Sequence, residues 1–155
     1  MFKRPLMLGL TSDLLAKLSG FSEGPCLSLY LSTHRTYPEH RQDPTQYRNL
    51  VKELGALLQQ GHSDAQVREL LVPFEALAMN AEFWKHSLDG LVVFGAPGFF
   101  QTLRIPQTVT DSATVGDHFQ TAPLRRFLQS IDRYQVLGLS LTKVRMFEGN
   151  RYALD

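Results

Sequence analysis

Cysteine is almost missing from this 155-residue chain: Cys26 stands alone, which excludes an internal disulfide framework. Its setting in an apolar run points to a buried thiol in a reducing compartment, so the expected location is the cytoplasm. Long apolar runs are missing too. No window approaches the ~18 apolar residues that a membrane span needs. The amino terminus, MFKRPLMLGLTSD, is interrupted by Pro5 and Gly9 before a signal-peptide core can form. Neither sign of charge is in excess, the formal net charge being +1. Bulk charge is therefore silent about partners, because phosphate affinity depends on where cations cluster.

Motifs of the common chemistries are absent as well. There is no GxSxG elbow, no phosphate-binding GxxxxGK[ST] and no GxGxxG. His34, His40, His62, His86 and His118 are scattered, and no pair has the spacing that sets two imidazoles on one helical turn. No metal or other cofactor is expected. Cys26 has no fixed basic neighbour to stabilise a thiolate, so it is not expected to be a nucleophile.

What is present is the composition of a packed domain, with 43% hydrophobic and 20% charged residues. Ser12 or Asp13 is placed to cap a short helix, DLLAKLSGF, ended by Gly20 and expected to pack on the sheet. CLSLYLS alternates Leu27, Leu29 and Leu31 with Ser28, Tyr30 and Ser32, the period of a strand. DPTQYRNLVKELGALLQQG predicts a helix with Asp43 as N-cap, Pro44 at the first helical position and Gly61 just past the end. A second helix starts at Ser63 or Asp64 and is expected to kink or divide at Pro73. The pair should cover one face of a sheet.

GLVVFGA then reads as a strand buried on both sides, and FFQTLRI as its hairpin partner across Ala96-Pro97-Gly98. The imperfect alternation of Phe99, Thr102 and Arg104 allows a bulge. ATVGD is a short strand, and Thr121 with Pro123 opens a helix. RYQVLGLSLTKVRMFEGN predicts two more strands, and YALD the start of another in need of a partner. The expected fold is α/β with α+β layering: a mixed, largely antiparallel β-sheet with helices packed on it.

Between the first strand and the following helix lies THRTYPEHRQDPTQYR, the most polar and least regular stretch. Its His34, Arg35, Tyr37, His40, Arg41 and Arg48, with Lys52 on the next helical turn, form the one basic cluster that carries an aromatic side chain in a loop. Such cations can follow a bent phosphate backbone while a tyrosine stacks on a base. These seven residues are the candidate RNA-binding set. Glu39 and Asp43 offset part of the charge. His34, His40 and Asp43 are also the only support for a catalytic reading, and no catalytic residue is assigned.

CLSLYLSTHR, the polar loop and its helix, DGLVVFGAPGFF, VGDHFQTAPLRRFL and RYQVLGLSLTKVRMFEGN occur in this order, from about Pro25 to Arg151. Together they resemble the bacterial branch of the archaeo-eukaryotic class-1 release factor superfamily, relatives of eukaryotic release factor and Pelota. The resemblance implies a lead-in over 1–24, a release-factor-like amino-terminal α/β domain over 25–130, and over 131–155 the first hairpin of a middle domain whose remainder lies beyond Asp155. In that superfamily an Asn-Ile-Lys-Ser motif reads the codon, at a position matching QDPTQYRNL. Here Asp43, Pro44, Thr45 and Gln46 stand in its place, and no Gly-Gly-Gln tripeptide occurs.

The resemblance thus implies a translation-associated protein that binds the ribosome, rRNA or tRNA, or another structured RNA, without itself being an enzyme in these residues. DNA and membranes are not expected partners. The alternative is a protein-interaction or scaffold domain that keeps the fold without RNA binding. Its contacts, with a protein partner or a second copy, would run through an open strand edge near Tyr152 and the Arg125-Arg126 pair.

Overall fold

The computed structural model describes residues 12–130 together with 149–150 and 153–154. Helix α1 (Ser12–Ser19) leads into strand β1 (Cys26–Ser32), and a single 3-10 turn (Glu39–Gln42) precedes α2 (Asp43–Leu58). Helices α3 (Asp64–Ala78) and α4 (Ala81–Trp84) follow, then strands β2 (Gly90–Ala96), β3 (Phe99–Ile105) and β4 (Ser112–Gly116). Residues 122–130 are helical, here α5. The fold is mixed α/β, with an antiparallel four-stranded sheet in the order β3-β2-β1-β4.

Both faces of this sheet are covered. Leu27, Leu29, Leu31, Leu91 and Val93 face a core completed by α2 and α3 through Tyr47, Leu54, Leu58, Phe74 and their neighbours. Cys26, Tyr30, Val92, Phe94 and Leu103 face a second core closed by Leu15 and Leu18 of α1 and by Leu124 and Phe127 of α5. The expected lead-in helix therefore contributes to the main body. The sequence expectation was a helix pair covering one face with the DLLAKLSGF helix also packed on the sheet; α5 joins α1 to make a second layer.

Double coverage explains why the alternation in CLSLYLS does not mark a polar face: Ser28 and Tyr30 are as buried as the leucines. Their polar atoms are answered by one residue. The Ser28 hydroxyl accepts from the Gln120 N–H at 2.9 Å, and the Tyr30 hydroxyl donates to the Gln120 carbonyl. A buried hydroxyl is tolerated when such partners exist.

Three local expectations change. The β2–β3 register runs unbroken from Gly90↔Ile105 to Ala96↔Phe99, so there is no bulge. Gly98, at φ +74, supplies the positive φ of the turn. Pro73 sits inside a helix that neither divides nor stops, because Val67, Leu71, Phe74, Leu77 and Ala78 bury one continuous face around it. The start of α3 is held by a capping box between Ser63 and Gln66.

Asp43 is not an N-cap: its own φ and ψ are helical, and Gln42 occupies the cap position without a side-chain bond. Beyond α5, Gly149–Asn150 and Ala153–Leu154 pair as a two-stranded ladder. The other residues expected to form the middle-domain hairpin, and Tyr152, lie outside the described residues. No described helix is long and apolar enough to cross a membrane.

Candidate nucleic-acid interface

The polar stretch leaves the sheet where β1 ends, and its first residues are anchored. Thr33 donates its N–H to the Asp89 carbonyl at 3.0 Å and its hydroxyl to the Leu88 carbonyl at 2.7 Å. Asp43, only 1% exposed, accepts the His34 N–H at 2.9 Å and meets His34 Nδ1 at 2.8 Å. A buried carboxylate needs such partners, and this pair closes the loop back on the helix start. Arg35 forms a bidentate ion pair with Asp89, at 2.9 and 3.1 Å. Its guanidinium is occupied.

The second half of the loop is held by its own turn. His40 and Arg41 donate their N–H groups to the carbonyls of Thr36 and Pro38. Tyr37 remains 69% exposed. The Arg41 guanidinium lies over its ring at 5.6 Å and donates to its hydroxyl at 3.3 Å. His40 meets the same ring edge-on, and its buried Nδ1 has no hydrogen-bond partner among the described residues.

Sequence spacing then does what the loop alone could not. Arg48 and Lys52 are four residues apart, so they lie on one face of α2. With His40 and Arg41 at its upper end, this face borders an open groove of about 440 Å³ against Met79, Trp84 and Lys85. Lys52 continues the line beside Glu75. Arg48 and Lys52 have no ionic partner among the described residues. Lys85 is paired at 3.4 Å with Glu82, whose carboxyl is held below the usual carboxylate range by the Lys85 hydrogen bond and charge and by His86.

The seven residues singled out in sequence thus separate into two groups. His34 and Arg35 are engaged by Asp43 and Asp89, whereas Tyr37, His40, Arg41, Arg48 and Lys52 form a continuous basic edge and groove. Lys85, Met79 and Trp84 complete the groove from α4 and the end of α3, some thirty residues downstream of α2's basic face. Only the proximity of α2 to α3 could have announced them. Met79 is 84% exposed, while Trp84 is buried and donates Nε1–H to the Leu77 carbonyl at 2.9 Å.

The catalytic alternative finds His34 oriented by Asp43, while His40 contacts Tyr37. Among the described residues no three of His, Cys, Asp and Glu are gathered as metal ligands. Cys26 is buried, and burial, with a smaller contribution from Asp117, pushes its thiol up. Arg125 donates to Ser19 at 2.7 Å and ties α5 to α1.

No protein-family model and no curated protein matches this chain. A solved structure described as "Archaeal protein" is similar, with 18% identity and a TM-score of 0.52. The match covers 78% of this chain and 35% of that one, and at this identity it shows the fold alone.

Proposed function

We propose that this chain is the amino-terminal domain of a release-factor-like, translation-associated protein that binds the ribosome or structured RNA through its basic groove. The observation that supports this reading is the line of cations from Arg41 in the 3-10 turn to Arg48 and Lys52 on α2, with exposed Tyr37 beside Arg41. Cations in a row match a row of phosphates, and an exposed ring at the end offers a base a stacking face. The reading puts the protein in the cytoplasm with its target. It assigns no codon reading, because Asp43, Pro44, Thr45 and Gln46 replace the reading motif, and it places no ester hydrolysis in these residues, where no Gly-Gly-Gln occurs.

Sedimentation with ribosomal particles at near-physiological salt tests it. The wild-type chain should travel with the particles, and a triple Arg41→Ala, Arg48→Ala, Lys52→Ala variant should bind at least about tenfold more weakly. Three lost phosphate contacts on single-stranded segments should also flatten the log–log salt slope by about 2. A wild-type chain that stays at the top of the gradient sinks the reading and favours the protein-interaction alternative.

A further inference from the structure

At the other end of α3 lies a second concavity that the RNA reading does not use. It is a cleft of about 410 Å³ walled by Leu70, Pro73, Pro97, Phe99 and Phe100, within the range of small-molecule sites. Gln66, Glu69, Leu70 and Pro73 recur at the i, i+3, i+4, i+7 positions of one helix face. That face can approach the β2–β3 hairpin because Gly95 lacks a side chain: a Cβ there would stand 2.4 Å from the Phe74 ring. Phe74 in turn meets Phe100 edge-on at 5.1 Å. The far rim is closed by Pro25, next to Gly24, which at φ +80 lies close against Pro97.

The polar side chains of this cleft include the Gln66 amide, whose oxygen is taken by the Ser63 N–H, and several acceptors. His62 Nδ1 faces the Leu58 carbonyl at 3.1 Å; a carbonyl can only accept, so Nδ1 carries a hydrogen, and Nε2 is an acceptor whenever the ring is neutral. The Glu69 carboxylate is exposed and has no ionic partner among the described residues. The Glu69 backbone carbonyl has lost its normal helical donor, since residue 73 is proline and has no N–H. Among the described residues, neither this cleft nor the hollow that shares Pro25 and His62 with it is lined by a lysine or arginine, and the hollow adds His118 and Asp117. Lys17 stands 5.4 Å from the Phe99 ring centroid without lining the cleft.

We infer that this cleft binds a small organic cation with an apolar body, an arylalkylamine in chemical class. The ring lies against Phe100 between Pro73 and Pro97, and the ammonium donates to the Glu69 carboxylate and to the acceptors beside it. The apolar walls supply affinity for the body, and the absence of cations selects the charge.

Amide NMR titration of the full chain with phenethylamine, 2-phenylethanol and 3-phenylpropionate tests the inference with three probes of similar shape. The amine should perturb Glu69, Leu70 and Gly98 and bind at least about tenfold more tightly than the alcohol, the charge-assisted bond accounting for the difference. The carboxylate should bind most weakly. Glu69→Gln, at an exposed position that the fold does not depend on, should reduce the amine to the alcohol's affinity, and Arg48→Ala should leave it unchanged. Equal binding of all three probes, no perturbation at the cleft at millimolar amine, or an unaltered affinity in Glu69→Gln overturns it.

Discussion

Asp43 shows how far a single residue can depart from its local expectation. A sequence with Asp-Pro at a helix start is read as a cap, yet the carboxylate turns away from its own helix and takes both donors from His34. Replacing it with alanine should cost about 2 kcal/mol in urea unfolding, from two lost hydrogen bonds to a buried carboxylate. Tyr47 makes a comparable link from α2 to the Phe74 carbonyl at 2.9 Å. Burial pushes the Tyr47 phenol far above its ordinary range, and that of Tyr30 as well, where the charge of Arg126 opposes the rise. The folded chain therefore keeps protons that the unfolded chain gives up. Stability from these groups is complete below about pH 10 and falls as pH rises beyond it. Urea midpoints between neutral and alkaline pH should decline accordingly, and Tyr47→Phe should make that decline shallower while losing about 1 kcal/mol at neutral pH.

Among the elements, α3 against β2 is the most demanding contact. Gly95 is central in its strand, where glycine is usually unfavourable, but it admits the Phe74 ring that joins helix to sheet. Gly95→Ala should destabilise by about 2–3 kcal/mol through overpacking, seen as a lower thermal midpoint. The element types and most of the apolar stripes were legible: Tyr47, Leu50, Val51, Leu54 and Leu58 are the buried face of α2 as its period requires. Pro73 was not legible as a continuous helix residue. One lost hydrogen bond weighs less than a continuous buried face, and that face is completed only by the sheet. The suspected bulge in β3 failed for a related reason: Arg104 breaks the alternation because its guanidinium lies 4.3 Å over the Phe83 ring and donates to the Phe83 carbonyl.

At the scale of the whole molecule, chemistry is divided between the two ends of α3. The basic groove lies beside its last turn, and the cleft with acceptors lies along its first three turns. The two proposed sites share no lining residue. Saturating phenethylamine should therefore leave RNA affinity within about twofold, measured by fluorescence anisotropy, because separate sites without shared partners couple weakly. The opposite result, competition at low salt, would place the amine in the basic groove.

The chain by itself determined its class, its strand and helix periods, its lone buried thiol and the basic character of the residues from His34 to Lys52. Those are properties of neighbours in sequence, set by backbone period and side-chain type. Tertiary structure alone decided that Arg35 is spent on Asp89 and that Arg41 and Arg48 meet Lys85 across a groove. It also decided that Glu69 and His62 face the same cleft. Each of these depends on which faces the sheet buries, and burial of alternate residues on both sides of β1 is settled only when α1, α2, α3 and α5 have all found their places.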